Sequence, residues 1–102
     1  MEIKKGKIKD LQGSWGSGMA ILVVETDEGR ESLPCDNGPT VRALDSCFGV
    51  IEPGHTFNIK NAVDKEIFYS MDELGLLLAG FTPVEDAPIE LVEAYESQSQ
   101  ED

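Results

Sequence analysis

One short helix signal, set among segments with strand-like composition, constrains the fold most. It lies within residues 33–49, where residues 36–38 (Asp-Asn-Gly) are of types that begin helices. Pro39 suits the first turn, whose N–H groups lack helical partners, and Gly49 can end a helix in a left-handed conformation. Apolar residues recur on one side: Val41, Leu44, Cys47 and Phe48. About ten helical residues are too few to persist alone, so we expect this helix to pack on a sheet.

The segments around this helix predict that sheet. Strand-like residues occupy 5–11, 19–26, 30–35, 66–71 and 76–81, and 57–59 forms a possible short strand. The run at 19–26 is continuously apolar, which predicts cover on both faces. Pro34 places 30–35 at an edge, and Gly6 predicts a bend or bulge in the first strand. A second helix is expected over about 87–96, with an apolar side for docking: Ile89, Leu91, Val92 and Tyr95.

The order of three strands, a helix, two strands and a helix matches that of a small barrel. The opening Lys5-Gly6-Lys7-Ile8-Lys9, a glycine-rich turn and then Met19-Ala20-Ile21-Leu22 resemble the start of OB-fold-like small β-barrels, including cold-shock-type domains. The resemblance spans roughly residues 3–82 and lies in element order and loop placement. It implies a mainly β fold: a five-stranded OB-like barrel with a helix between strands 3 and 4 and a C-terminal helix. We assign 1–84 to the barrel, 85–97 to the docked helix and 98–102 to a disordered acidic tail.

The charge of the chain is strongly acidic and unevenly distributed. The net charge is −12, and residues 85–102 hold seven of the twenty acids and no cation. An acidic balance opposes non-specific binding to nucleic acid or to an anionic membrane. There is no apolar run near the roughly 20 residues that span a bilayer, and the first residues lack the apolar stretch of a signal peptide. We therefore expect a cytoplasmic protein that binds no membrane.

The glycine-rich loop at 13–18 holds the most suggestive residue, Trp15. An indole on a loop can fill a partner's pocket or stack on a base, and it can also fold down and plug the barrel. Nearby lysines could follow a phosphate backbone or simply keep an edge strand solvated. The predicted partner-binding residues are Ser14, Trp15, Lys7, Lys9, Arg30 and Tyr69.

The start of the central helix is a second candidate site, for an anion. Asn37 and Gly38 could offer free amides there, with Arg42 one turn along, although Asp36 places a negative charge at the same point. The spacing of Cys35, Cys47 and His55 fits no metal motif, so we expect no metal and no cofactor. No catalytic motif is recognisable, and we expect no enzyme activity.

These observations predict a non-catalytic binding module for a protein partner or for a second copy of the chain. Trp15 would anchor the contact, and the 30–34 edge could add main-chain pairing. A second hypothesis is a single-stranded nucleic-acid binder that uses Trp15 and the amino-terminal lysines, with Tyr69 or Phe68 as a further stacking residue. A third is an acidic mimic of nucleic acid, in which the C-terminal helix occupies a nucleic-acid-binding protein.

Overall fold

The computed structural model describes residues 2–13, 18–54 and 56–99. Within these residues the chain is mainly β, as predicted, and it has two helices close to the predicted positions. The elements in chain order are β1 Lys4–Gln12, β2 Met19–Thr26, β3 Gly29–Asp36, α1 Asn37–Phe48, β4 Ile51–Glu52, β5 Thr56–Phe57, β6 Glu66–Met71, β7 Leu78–Pro83, a 3-10 helix Val84–Asp86 and α2 Ile89–Ser99.

The long strands form one five-stranded antiparallel sheet in the order β3-β2-β1-β6-β7. β1 is central because it pairs with β2 on one side and with β6 on the other. The short strands β4 and β5 make a separate ribbon around the Pro53-Gly54 turn. β3 and β7 come within 8 Å of each other between Cα atoms, but no ladder joins them among the described residues. The sheet is therefore open among these residues, and the structure shares with the predicted OB-like barrel its five antiparallel strands and two helices.

Both open edges carry a proline whose missing N–H points away from the sheet. The Asn37 amide donates to the Gly18 carbonyl (3.2 Å), so odd-numbered residues of β3 face β2 and Pro34 faces outward. The Ile8 amide donates to the Lys65 carbonyl (2.9 Å), and the same alternation carried across β6 turns Pro83 outward on β7. Each edge thus lacks a donor where another strand would pair, which confirms the edge position predicted from Pro34.

The burial of β2 differs from the prediction. Its residues alternate: Ala20, Leu22 and Val24 are buried, whereas Met19 and Ile21 are exposed. The continuous apolar run predicted that both faces of the strand are covered, whereas only the inner face is fully buried. The outer face of this strand therefore presents apolar side chains to solvent.

Gly6 has a different role from the predicted bend. The irregularity in β1 lies between Ile8 and Asp10, and Gly6 sits buried in regular pairing opposite Ile67. A Cβ at Gly6 would lie 3.2 Å from the Cβ of Val24 and 3.3 Å from Cε1 of Tyr69. The glycine therefore allows the core to close tightly against β1.

The helix α1 packs on the core as predicted, with two local differences. Val41 and Leu44 are buried and Gly49 ends the helix in the left-handed region with φ 75°, but Cys47 is exposed. Asp36 is the N-cap, although its side chain makes no capping hydrogen bond among the described residues. The Asp45 carboxylate accepts from the amides of Val50 (3.0 Å) and Ile51 (2.8 Å) and so fixes the chain leaving the helix.

The last strand and helix begin later than predicted. The Asp72 carboxylate accepts from the Leu76 amide (2.8 Å), which keeps the β6–β7 turn folded until β7 starts at Leu78. α2 lies over the outer side of β6, where the rings of Phe68 and Tyr95 are 5.1 Å apart. Ile89 is 68% exposed, so it does not belong to the docking side to which the sequence assigned it.

One core connects the sheet with α1. It contains mostly inward residues of the long strands together with helix and loop residues: Ile8, Leu11, Ala20, Leu22, Val24, Leu33, Cys35, Val41, Leu44, Val50, Ala62, Ile67 and Tyr69.

Candidate functional site

Two of the predicted partner-binding residues, Ser14 and Trp15, lie outside the described residues. The loop that contains them joins the end of β1 at Gln12 to the start of β2 at Met19.

The predicted basic contacts each lie next to carboxylates. Lys9 donates to Asp64 (2.5 Å), and Arg30 lies 3.9 Å from Glu25. Lys7 is exposed and sits in register with Glu25 on one side and Glu66 on the other. Asp64 has a left-handed backbone with φ 68°, and the pKa of its carboxyl is lowered, first by the hydrogen bond from Lys9. Because a carboxylate lies beside each of these cations, they form no continuous positive surface along which a phosphate backbone could bind.

Tyr69 lies in the core rather than on a surface. Its relative exposure is 2%, and its hydroxyl donates to the Glu31 carboxylate at 3.2 Å. Burial raises the pKa of Tyr69, and the nearby carboxylates of Glu31, Glu2 and Glu28 raise it further. The side chain therefore stays neutral and contributes to the core.

At the predicted anion site, the start of α1, the residues make contacts within the chain. Asn37 is buried, and its amide donates to the Gly18 carbonyl. Gly38 and Arg42 lie close together, since a Cβ at Gly38 would be 3.7 Å from a guanidinium nitrogen of Arg42. The N-cap residue Asp36 is exposed beside them, so a carboxylate already occupies the positive end of the helix dipole.

A polar groove of about 410 Å³ lies where the start of β1, the β2–β3 turn and the end of α2 meet. Its polar groups bind one another. Gln98 accepts from the Ile3 amide (2.9 Å) and donates to the Ile3 carbonyl (2.5 Å), and the Thr26 hydroxyl donates to the Gly29 carbonyl (3.2 Å). We call this the acidic groove, after the carboxylates that line it: Glu2, Asp27, Glu28 and Glu31.

A second region presents apolar side chains to solvent. Met19 is 47% exposed and Ile21 37% on β2, while Leu74 is 78% and Leu76 62% exposed in the β6–β7 turn. We call these residues the apolar surface. Sequence reasoning missed all of them as functional residues. Side chains alternate between the two faces of a strand, so Met19 and Ile21 share one face within 19–26. This alternation was the available signal, and it fits a half-buried strand as well as a fully buried one.

The end of β3 and the start of β7 lie between the two parts of the apolar surface. Met19 pairs with Asp36 at the end of β3. Asp36 in turn lines a cavity of about 250 Å³ together with Leu78, the first residue after the β6–β7 turn. The antiparallel order gives β3 and β7 the same direction, and their Cα atoms come within 8 Å of each other.

Carboxylates surround the apolar surface. Asp36 is exposed opposite Met19, and Asp10 is exposed in register with Val23 on the same outer face. Asp72 and the exposed Glu73 directly precede Leu74. The Arg42 guanidinium lies beside Gly38, two residues after Asp36 in the chain. The apolar side chains are therefore bordered mainly by negative charge.

The described residues carry no arrangement suited to metal binding or to thiol chemistry. No cluster of three or more histidine, cysteine, aspartate or glutamate side chains in that part of the chain could hold a metal ion. Cys35 is buried with its thiol 3.6 Å from the Ala20 carbonyl, and Cys47 is exposed. Desolvation raises the pKa of both thiols, so neither is activated as a thiolate.

Compared with protein-family models, with curated proteins and with solved structures, the chain matches none. Within the described residues, neither helix has the length and apolarity that crossing a bilayer would need. Any functional conclusion must therefore come from the residues themselves.

Proposed function

We propose that this chain is a non-catalytic binding module that holds a protein partner at the apolar surface. The observation that carries the proposal is the exposure of Met19, Ile21, Leu74 and Leu76. Apolar area left in water adds nothing to folding, but its burial against a partner contributes about 25 cal/mol per Å². Methionine, the type of Met19, is among the residues enriched at protein interfaces.

We also propose that the sheet is arranged as an OB-like barrel with an unpaired seam. Support comes from the strand order, from the α1 position between β3 and β6, and from the approach of β3 to β7 within 8 Å. In OB folds the outer face of the second and third strands and the loops beside it bind ligands. The apolar surface lies on that face and in one of those loops.

The edge prolines favour a side-chain contact over main-chain strand addition. A partner strand that paired with the β3 edge over residues 30–34 would meet Pro34. This residue faces outward and has no N–H to donate. The same holds for Pro83 on β7. A partner therefore gains more from the outer face of β2 than from either edge.

Single-stranded nucleic acid is the second candidate ligand, and the OB-like strand order is what favours it. Two features oppose it: Lys9 and Arg30 lie beside Asp64 and Glu25, and Phe68 is buried beneath Tyr95 of α2. The third candidate, nucleic-acid mimicry, draws on the exposed Glu90 and Glu93 of α2. Both are outcomes of the experiment below.

The test compares capture by three immobilised proteins: the wild type, a Met19→Ser plus Leu74→Ser variant, and an Ile89→Ser control. Ile89 is as exposed as the other apolar residues but lies on α2, away from the apolar surface. We expect proteins from the source organism's extract to bind the wild type and the control, and to be lost from the double variant. Light scattering of each purified protein measures self-association in parallel.

Equal capture by all three proteins would contradict the proposal. A labelled oligothymidine titration at about 50 mM salt addresses nucleic acid, since such binding weakens steeply as salt rises. Tight, salt-sensitive oligonucleotide binding that survives the double substitution would replace the proposal with the second candidate. Capture that instead requires Glu90 and Glu93 would favour mimicry.

A further inference from the structure

The charge around the apolar surface indicates what kind of partner it fits. This inference rests on the proposed function and specifies its ligand. Asp10, Asp36, Asp72 and Glu73 border the apolar side chains, and Asp10, Asp36 and Glu73 are exposed. We call these four carboxylates the rim. A partner that buries the apolar residues would bring its own surrounding residues against the rim.

We propose that the apolar surface binds a protein segment whose apolar side chains are flanked by lysine or arginine. Basic flanking residues would face the carboxylates that border Met19 and Leu74, which strengthens binding and speeds association at low salt. The apolar side chains would supply the area, and the charges would select the partner.

The same charges argue against a second copy of the chain as the occupant. A symmetric contact through the apolar surface would set the carboxylates of one copy against those of the other. The net charge of −12 adds longer-range repulsion between copies. Like charges brought together at an interface disfavour association, so the protein should stay monomeric at low salt.

Hydrogen bonding fixes part of this rim in place. One Asp72 carboxylate oxygen accepts from the Leu76 amide (2.8 Å), which holds the turn that presents Leu74 and Leu76. Asp10 accepts from the Leu11 amide (2.9 Å) and so is held at the outer face of β1. The negative border is therefore built into the sheet and the turn, and not only into flexible side chains.

The test is a fluorescence titration of the full chain with synthetic peptides. The peptides alternate leucine with lysine, leucine with glutamate, and serine with lysine, and the readout is the anisotropy of a peptide label. We expect the leucine–lysine peptide to bind at least tenfold more tightly than either of the others. Raising salt from about 50 mM to about 500 mM should weaken that binding several-fold, because the shorter Debye length screens the rim.

Matched charge variants separate the rim from the overall charge. The rim variant is Asp36→Asn plus Glu73→Gln, and the control is Glu90→Gln plus Glu93→Gln on α2, which removes the same charge elsewhere. We expect the rim variant to weaken leucine–lysine binding about fivefold and the control to change it less than twofold.

Several results would overturn the inference. These are equal affinity for the leucine–lysine and leucine–glutamate peptides, equal effects of the rim and control variants, or no leucine–lysine binding. If peptide binding is lost in the Met19→Ser plus Leu74→Ser variant but is indifferent to the rim, the proposed function stands and only the charge selection fails. If binding ignores that variant as well, the apolar surface is not the site and both fail.

Discussion

The acidic groove and the apolar surface use their side chains in opposite ways. In the acidic groove, polar groups are hydrogen-bonded within the chain: Tyr69 to Glu31, Gln98 to Ile3, and Thr26 to Gly29. At the apolar surface, large hydrophobic side chains remain 37–78% exposed. The groove has the larger volume, about 410 Å³, yet its groups already serve the fold.

The difference shows that a concave shape alone is a poor guide to function in a small domain. A polar group that has a partner inside the chain gains little from a ligand, because binding must first break the internal hydrogen bond. An exposed apolar side chain loses nothing when a partner covers it. The two regions should therefore respond to substitution in different ways, in stability at the groove and in binding at the apolar surface.

The largest expected effect on stability is at the groove, where the Tyr69 ring reaches into the core. Tyr69→Ala should lower the free energy of unfolding by about 3–5 kcal/mol, because it leaves a cavity against Gly6 and Val24. Urea denaturation followed by circular dichroism measures the loss. Leu74→Ser, at a side chain 78% exposed, is the control and should change stability by less than about 0.5 kcal/mol. Equal losses in the two variants would abolish the distinction between the regions.

Much of this fold followed from local patterns that the structure confirms. The helix start near Asp36, its end at Gly49 and the strands Met19–Thr26 and Glu66–Met71 are set by side chains close in sequence. The open seam between β3 and β7 was not predictable, since it depends on how far strands distant in sequence approach one another. Tertiary spacing of this kind leaves no local sequence signal.

The site was harder to predict than the fold, for a related reason. Tyr69 was expected at a surface because an aromatic in a strand can point to either side, and register alone decides which. Pairing with Lys4 turns Tyr69 inward toward Glu31, while Phe68 turns outward beneath α2. Leu76 is exposed because the turn continues to Leu77, whereas the sequence predicted that the strand begins at residue 76. Leu74 lies in the turn, as the sequence predicted, and its exposure left no separate signal.

A smaller effect, and one that depends on pH, is expected from Tyr69→Phe. The variant keeps the ring but loses the hydrogen bond to Glu31, so it should be about 1 kcal/mol less stable near neutral pH. The pKa of Tyr69 is raised in the folded protein, which means that the folded state favours the neutral phenol. The hydroxyl's contribution is therefore complete below the unfolded pKa of about 10 and is lost as the pH rises above it.

Urea midpoints of wild type and Tyr69→Phe between about pH 7 and pH 11 measure this difference. The two proteins should converge as the pH rises above about 10. A constant difference across that range would mean that Tyr69 titrates normally, and that the Glu31 contact does not hold the phenol neutral.

The smallest expected effect concerns the Gln98 contact that joins α2 to the start of β1. Gln98→Ala removes both hydrogen bonds to Ile3 and should cost about 1 kcal/mol, with faster hydrogen exchange at the Ile3 amide.

The Gln98→Glu variant distinguishes the hydrogen bonds to Ile3 from the packing of the helix. At neutral pH the carboxylate can accept from the Ile3 amide but cannot donate to its carbonyl, so this variant should be no more stable than Gln98→Ala. Below the ordinary glutamate pKa of about 4.3 the protonated carboxyl can donate again, and its stability relative to wild type should recover while that of Gln98→Ala does not. Indistinguishable pH profiles for the two variants would show that α2 is held by the Phe68–Tyr95 contact alone, and that the groove is less internally bonded than its geometry indicates.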